Sequence, residues 1–237
     1  RVTLFCFSLM RPFGYERGLV ALQYKEHASI FSCDGHEVYS NQSVEVVPGL
    51  QTSVVDVSLR CNTTTEGAAA NVDIFLAVWR RIINGRRFRR YAWTVKVDPD
   101  CVFFPSRLRT NLWKHREMPQ GVYLSNCRRG LHESFEVFSR NAVYNMEGGM
   151  MHCKEHFLMQ CSGPCNWSED LFIDRCLSEV LGVERRAEFN LLVEDTCDPP
   201  VGWESCKDHS RVGFHPMKDF ELYYLCLVKS RGSPGPS

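Results

Sequence analysis

Two carboxylates two residues apart, Asp98 and Asp100, directly follow an apolar run from Tyr91 to Val97, with Pro99 between them. Hard divalent cations such as Mg²⁺ and Mn²⁺ take oxygen ligands, and they bridge from a carboxylate to phosphate oxygens. Pro99 pushes Asp98 toward an extended conformation and cannot donate to a strand ladder. The acids therefore stand where a strand ends, and open α/β sheets bind ligands outside the carboxyl ends of their strands. A turn with two solvated acids has the same spacing. The second set is Trp167-Ser168-Glu169-Asp170. Ser168 is a good helix cap, and acids in a first turn suit the helix dipole. If that helix start faces a cleft, one of the acids can serve as a general base. The third is His215, in Gly213-Phe-His-Pro-Met-Lys218, whose imidazole is a ready metal ligand.

Other groupings compete with these. His152, Cys153, His156, Cys161 and Cys165 have spacings that could hold zinc, although Gly163-Pro164 between the last two cysteines also suits a disulfide loop. Six arginines fall between Arg80 and Arg90; cations at a helix end suit its dipole, which accounts for them better than a polyanion site. The chain has no GxGxxG turn, no phosphate-binding GxxxxGK[ST] loop and no HExxH pair, which argues against dehydrogenase, P-loop kinase and zinc-protease chemistry.

Positioning such residues needs a scaffold. Val2–Leu9 reads as a buried strand, Tyr15–His27 as an amphipathic helix, and Ser29–Cys33 as a second strand ended by Asp34-Gly35. This βαβ opening predicts an α/β fold with an open, mostly parallel central sheet flanked by helices. Residues 40–66 read as loop with a short strand, and Gly67–Ile83 as a helix. Tyr91–Val97 is a strand, Cys101–Phe104 continues extended, and Pro105–Trp113 is a helix. Strands follow at Gly121–Ser125 and Ser134–Phe138. Ser139 caps a helix that Gly148-Gly149 stops, and a second helix runs from Met150 to Gln160. Glu169–Leu181 is helical, Ala187–Val193 and Val212–Phe214 are late strands, and a last helix opens after Pro216. The expected organisation is one domain over residues 1–231, with a frayed tail at 232–237.

The 237 residues are 44% hydrophobic and 24% charged, enough for a real core. Lys+Arg and Asp+Glu both number 28, so the zero net charge gives no basis for a nucleic-acid partner. Arginine outnumbers lysine 21 to 7, which suits phosphate but also follows from codon bias. Twelve cysteines together with sequons at Asn41, Asn62 and Asn166 point to an oxidising secretory lumen and a disulfide-bonded protein. No run approaches the ~20 apolar residues of a membrane helix. With Arg1 at the edge of the first strand, any membrane anchor is expected upstream of residue 1.

Taken in order, these blocks resemble a GT-A-fold, nucleotide-sugar-dependent glycosyltransferase of the fringe and β1,3-galactosyltransferase-like group. Lys96-Val-Asp98-Pro-Asp100-Cys-Val-Phe103 is similar to that group's DxD block. Phe138-Ser-Arg-Asn-Ala142 with Gly148-Gly149 is similar to its small Gly-rich segment, Ser168-Glu169-Asp170 to its [ST]-E-D block, and His215 to its late histidine. Pro99 inside the DxD and the late Gly-Gly pair depart from the pattern. The resemblance implies a Rossmann-like donor half (residues 1–100) fused to an acceptor half (101–231). It implies Mn²⁺ or Mg²⁺ held by Asp98, Asp100 and His215. A nucleotide-sugar donor, most simply a UDP-sugar, would be bordered by Asp98, Lys96, Arg11 and Asp34. Asp170, with Glu169, would take the proton of an acceptor hydroxyl on a glycan or glycoprotein. Glu169-Asp170 at a helix start aimed at a cleft favours inversion, since a base is then needed on the face opposite the leaving diphosphate, and hexose transfer in the Golgi lumen, from a type II anchor, completes the expectation. The other reading is a secreted, cysteine-rich domain on the same fold that binds sugars or proteins without catalysis.

Overall fold

The structure is a computed structural model, and it describes residues 1–60, 62–63, 69–160 and 167–231. The chain begins with β1 (Leu4–Leu9), α1 (Tyr15–Lys25), β2 (Gly35–Ser40), β3 (Glu45–Val47), β4 (Leu50–Gln51), β5 (Ser53–Val54), β6 (Asn62–Thr63) and β7 (Ala69–Ala70). There follow α2 (Val72–Gly85), β8 (Trp93–Val97), β9 (Val102–Phe103), α3 (Pro105–Leu112), β10 (Val122–Ser125), β11 (Phe135–Ser139) and α4 (Arg140–Gln160). The last elements are α5 (Glu169–Arg175), β12 (Glu184–Ala187), β13 (Leu192–Glu194), β14 (Gly213–His215) and α6 (Phe220–Arg231).

Seven strands form the central sheet in the order β12-β10-β11-β8-β1-β2-β5. All run parallel except β11, which is antiparallel to both β8 and β10. The expected α/β architecture, a mostly parallel sheet between helices, is what the chain forms. Successive side chains alternate between its two faces. Phe5 and Phe7 of β1 point into a core with α2, α4 and α5, where Trp79 is fully buried and meets Phe7 and Phe138 edge-on. Leu4 and Cys6, with Trp93, Val95 and Val97 of β8, point into the opposite core under α1 and α3. By the same alternation Lys96 faces the α2–α5 side, fully buried.

From β1 the chain moves one way, to β2 and β5; β8 lies on the other side of β1. The strand order thus reverses between β1 and β8, and such a switch point leaves a crevice outside the carboxyl ends. A second sheet, β13-β14-β9, packs beyond it. Its register sets Glu194 directly beside His215 and pairs Phe214 with Val102, two residues after Asp100. The Met217 N–H donates to the Asp100 carbonyl at 2.8 Å, tying the chain after β14 to the chain after β8.

Several local expectations are corrected. Ser29–Ser32 is a 3₁₀ turn, with Ser29 at φ 52, and the second strand starts at Gly35. A short apolar run cannot by itself distinguish the two. Gly148-Gly149 does not stop a helix: α4 runs through both. Gly149 instead makes room for Leu181, whose Cδ2 lies 2.3 Å from where a Cβ would stand. The helix expected from Gly67 begins at Val72, with Ala69–Ala70 paired to Asn62–Thr63; Gly67 itself lies outside the described residues. Residues expected as one strand from Ala187 to Val193 divide into β12 and β13 around a turn. The helix starting at Glu169 changes to a π turn at Cys176–Val180.

Four disulfides are present among the described residues: Cys6–Cys33, Cys127–Cys197, Cys153–Cys176 and Cys206–Cys226. They fit an oxidising, secretory-type environment. Cys153 is thereby unavailable to zinc, and Cys161 and Cys165, with the sequon at Asn166 and the tail 232–237, lie outside the described residues. Among the described residues no helix is long and apolar enough to cross a membrane.

Candidate metal and donor site

At the switch point lies a cleft of about 380 Å³, within the range of small-molecule sites. Leu9 and Arg11 reach it from the end of β1, and Asp98 and Asp100 from the end of β8. Tyr15 and Glu16 enter from the start of α1, and His215 and Lys218 from beyond β14. One ligand atom each from Asp98, Asp100 and His215 lies within 4.8 Å of the others. His215 Nε2 is 3.3 Å from Asp100 Oδ1. Adjacent ligands of an octahedral ion at about 2.1 Å stand about 3 Å apart, so the group fits a divalent cation with oxygen and imidazole ligands.

Each side chain is held from behind. Tyr15 donates its hydroxyl to Asp100 Oδ2 at 3.2 Å. Burial alone would raise the Asp100 carboxyl, but the His215 hydrogen bond and charge hold it below its ordinary value. Burial would lower His215, yet its hydrogen bonds to Asp100 and Glu194 raise it to about 10. Glu194 is buried and accepts from His215 Nδ1 in a short contact. Burial would raise Glu194 as well, but His215 and neighbouring donors hold it down, to about 2.

Beneath Asp98 lies a second, buried set of charges. Lys96 Nζ is 3.5 Å from Asp98 and 3.4 Å from Glu169, donates to the Glu133 carbonyl, and sits 4.2 Å from the centre of the Phe75 ring. Burial would lower Lys96; the surrounding carboxylates raise it well above its ordinary value. Glu136 is the cross-strand neighbour of Lys96. Neither its carboxylate nor that of Glu169 accepts a hydrogen bond among the described residues. Burial pushes both upward, Glu169 to about 7, and a shared proton would satisfy the pair. Asn71, just before α2, accepts from the Glu169 N–H at 2.8 Å and donates to Glu133 Oε2 at 3.1 Å, fixing the start of α5 against the cleft wall.

The residues expected at the site divide accordingly. Asp98, Asp100, His215 and Arg11 share the cleft. Lys96 does not line it: the ammonium is enclosed as a counter-ion, because an even position in β8 points it under α2. Glu169 is likewise 1% exposed and has no route to an acceptor. Asp170 is only partly buried; its Oδ1 caps the Leu171 N–H at 2.8 Å and takes a short bond from Ser168, and its charge is felt at His132 and Glu133. Asp34 belongs to the other end of the sheet. It precedes β2, accepts from the Leu4 N–H, and pairs with Arg109 at 2.8 Å and Arg1 at 3.0 Å. The misplaced second strand caused that error. Tyr15, Asn71, Glu133, Glu194 and Lys218 were missed; each is an isolated polar residue whose role comes from a contact distant in sequence, so no local spacing marks it.

No protein-family model matches this chain, and no curated protein matches it. Among solved structures, a glycosyltransferase involved in the glycosylation of the major capsid of PBCV-1 aligns with 95% of this chain and 99% of its own length, with a TM-score of 0.52 at 13% identity. At that identity the likeness defines the fold. The chain shares that glycosyltransferase's fold, a GT-A-like α/β sheet, with Asp98 and Asp100 following the central strand β8 and His215 brought beside them from the end of β14.

Proposed function

We propose that this chain is a metal-dependent glycosyltransferase that moves a hexose from a nucleotide-sugar donor to a hydroxyl of a glycan or glycoprotein, with inversion. The observation that carries this reading is the convergence of Asp98, Asp100 and His215 in the switch-point cleft. Those three residues would hold Mn²⁺ or Mg²⁺, which when bound supplies positive charge to a leaving diphosphate. The cleft's own cations, Arg11 and Lys218, suit the same phosphates, and Leu9, Ile74 and Phe75 offer apolar surface to a base such as uracil. Residues 1–100 are assigned most of the donor site, which His215 and Lys218 complete, and the rest of 101–231 is assigned to the acceptor and to catalysis.

Asp170 is the proposed general base. It does not itself line the cleft: it is partly exposed at the start of α5, near enough to the cleft residue Glu133 for its charge to act there, and the proposal has it meet the acceptor hydroxyl from the face opposite the diphosphate. Four disulfides support a secretory compartment, and the Golgi lumen is the one proposed.

The test is a screen of nucleotide-sugars for hydrolysis and transfer, with and without Mn²⁺, on the wild type, Asp100→Asn and Asp170→Asn. Metal-dependent turnover lost in Asp100→Asn, and turnover lost with donor binding kept in Asp170→Asn, supports the reading. Binding of nucleotide-sugar without any turnover would overturn it in favour of a non-catalytic sugar-binding domain. A product retaining the donor's anomeric configuration would overturn inversion and the role of Asp170.

A further inference from the structure

We infer that Glu194 is a positioning residue that aims His215 Nε2 at the metal site; this rests on the reading of Asp98, Asp100 and His215 as metal ligands. A histidine can offer either ring nitrogen, and a half-turn of the ring about Cβ–Cγ puts a carbon where each nitrogen stood. Which nitrogen faces a metal is set by the hydrogen bond the other makes.

The geometry settles that choice. Glu194 and His215 are the last residues of β13 and β14 and are paired in the parallel register, so their side chains leave the sheet together. Glu194 Oε2 accepts from His215 Nδ1, and Nε2 is then the atom left facing Asp100, 3.3 Å from its Oδ1. The carboxylate is itself fixed. Ser134 donates its hydroxyl to the same Oε2 at 3.2 Å and meets His132 Nδ1 at 3.0 Å. Glu194 is 2% exposed and does not line the cleft, so it has no contact with a substrate there. It borders a smaller cavity on its other side, and toward the metal site its contact is the hydrogen bond to the His215 ring.

Outer-shell partners of metal-bound histidines typically contribute 10–100-fold in metal affinity. The experiment is Mn²⁺ binding, by titration calorimetry and by the EPR signal of free Mn²⁺, on the wild type, His215→Ala, Glu194→Ala and Glu194→Gln, with each variant's folding checked by circular dichroism. Glu194→Ala should bind Mn²⁺ about 10–100-fold more weakly. Glu194→Gln, whose amide oxygen still accepts from Nδ1, should recover part of that loss. A purely structural role would lower thermal stability in both and leave Mn²⁺ affinity unchanged.

A measurement on the wild type removes any dependence on variants that fold. In long-range ¹H–¹⁵N spectra with Zn²⁺ as a diamagnetic substitute, His215 should carry its proton on Nδ1 and the metal on Nε2. A ring metallated through Nδ1, or wild-type affinity in folded Glu194→Ala beside a weakened His215→Ala, overturns the role of Glu194 alone. A wild type that binds no metal, or a His215→Ala that binds as well as the wild type, overturns the metal site itself.

Discussion

Replacing Glu169 by Gln should change how folding depends on pH. The Glu169 side chain is 1% exposed, 3.4 Å from Lys96 Nζ, and accepts no hydrogen bond among the described residues. Burial outweighs the attraction of Lys96 and raises the carboxyl from its ordinary value of 4.5 to about 7. Between those values the native state keeps a proton that the unfolded chain has released. Stability therefore falls as pH rises from 4.5 to about 7, and this contribution is flat above that. At about 1.36 kcal/mol for each pH unit, the whole loss is about 3 kcal/mol. Glutamine has no such proton, so the slope disappears with it. Urea unfolding followed by tryptophan fluorescence, repeated from about pH 5 to about pH 8, gives the difference between variant and wild type. That difference should move by about 3 kcal/mol in favour of Glu169→Gln across the window, with other titrating groups largely cancelling. Parallel curves would show that Glu169 is ionised throughout and would refute the raised Glu169 carboxyl.

Three further outcomes are expected. Gly148 and Gly149 should respond oppositely to alanine. Gly148 is open and helical, so its substitution should stabilise by about 0.5–1 kcal/mol, whereas at Gly149 the new methyl meets Leu181 at 2.3 Å and should destabilise by about 1–3 kcal/mol; chemical denaturation of both variants decides, and equal signs would contradict the packing. Replacing Cys127 and Cys197 together by Ser opens a link between residues 70 apart, and should cost about 4 kcal/mol by calorimetry in a chain-entropy account; a loss below about 1 kcal/mol would mean the unfolded chain is already constrained there. Cys101 is free and fully buried, with its thiol pushed upward by burial, so alkylation read by mass spectrometry should reach it only on unfolding; rapid labelling of the native protein would contradict its place between the sheets.

How much was legible in the sequence depended on the range of the cause. Strand β8 with its Asp98-Pro-Asp100 ending could be read directly, because an apolar run, a proline and paired acids are local signals with local consequences. Ser168 before α5, α1 after Gly14 and the even cysteine count were legible for the same reason. The sequence therefore determined an α/β chain, a strand ending in two carboxylates, and a disulfide-permissive setting.

The tertiary structure alone decided which candidates meet. His215 lies more than a hundred residues beyond Asp100, and only the antiparallel pairing of β14 with β9 brings it to the site. Asp34 was displaced by a shift of the second strand that moved it from the carboxyl end of the sheet to the amino end. Lys96 and Glu169 read as charges of the donor and acceptor site, but sheet alternation and the packing of α5 turned them toward each other in the interior. Glu194 carried no signal at all. It ends a three-residue strand, and its chemistry exists because the parallel register of β13 and β14 places a carboxylate and an imidazole side by side. Period and composition fix which residues are apolar or charged; register, crossover and burial fix which of them touch, and those depend on contacts that no local window of sequence contains.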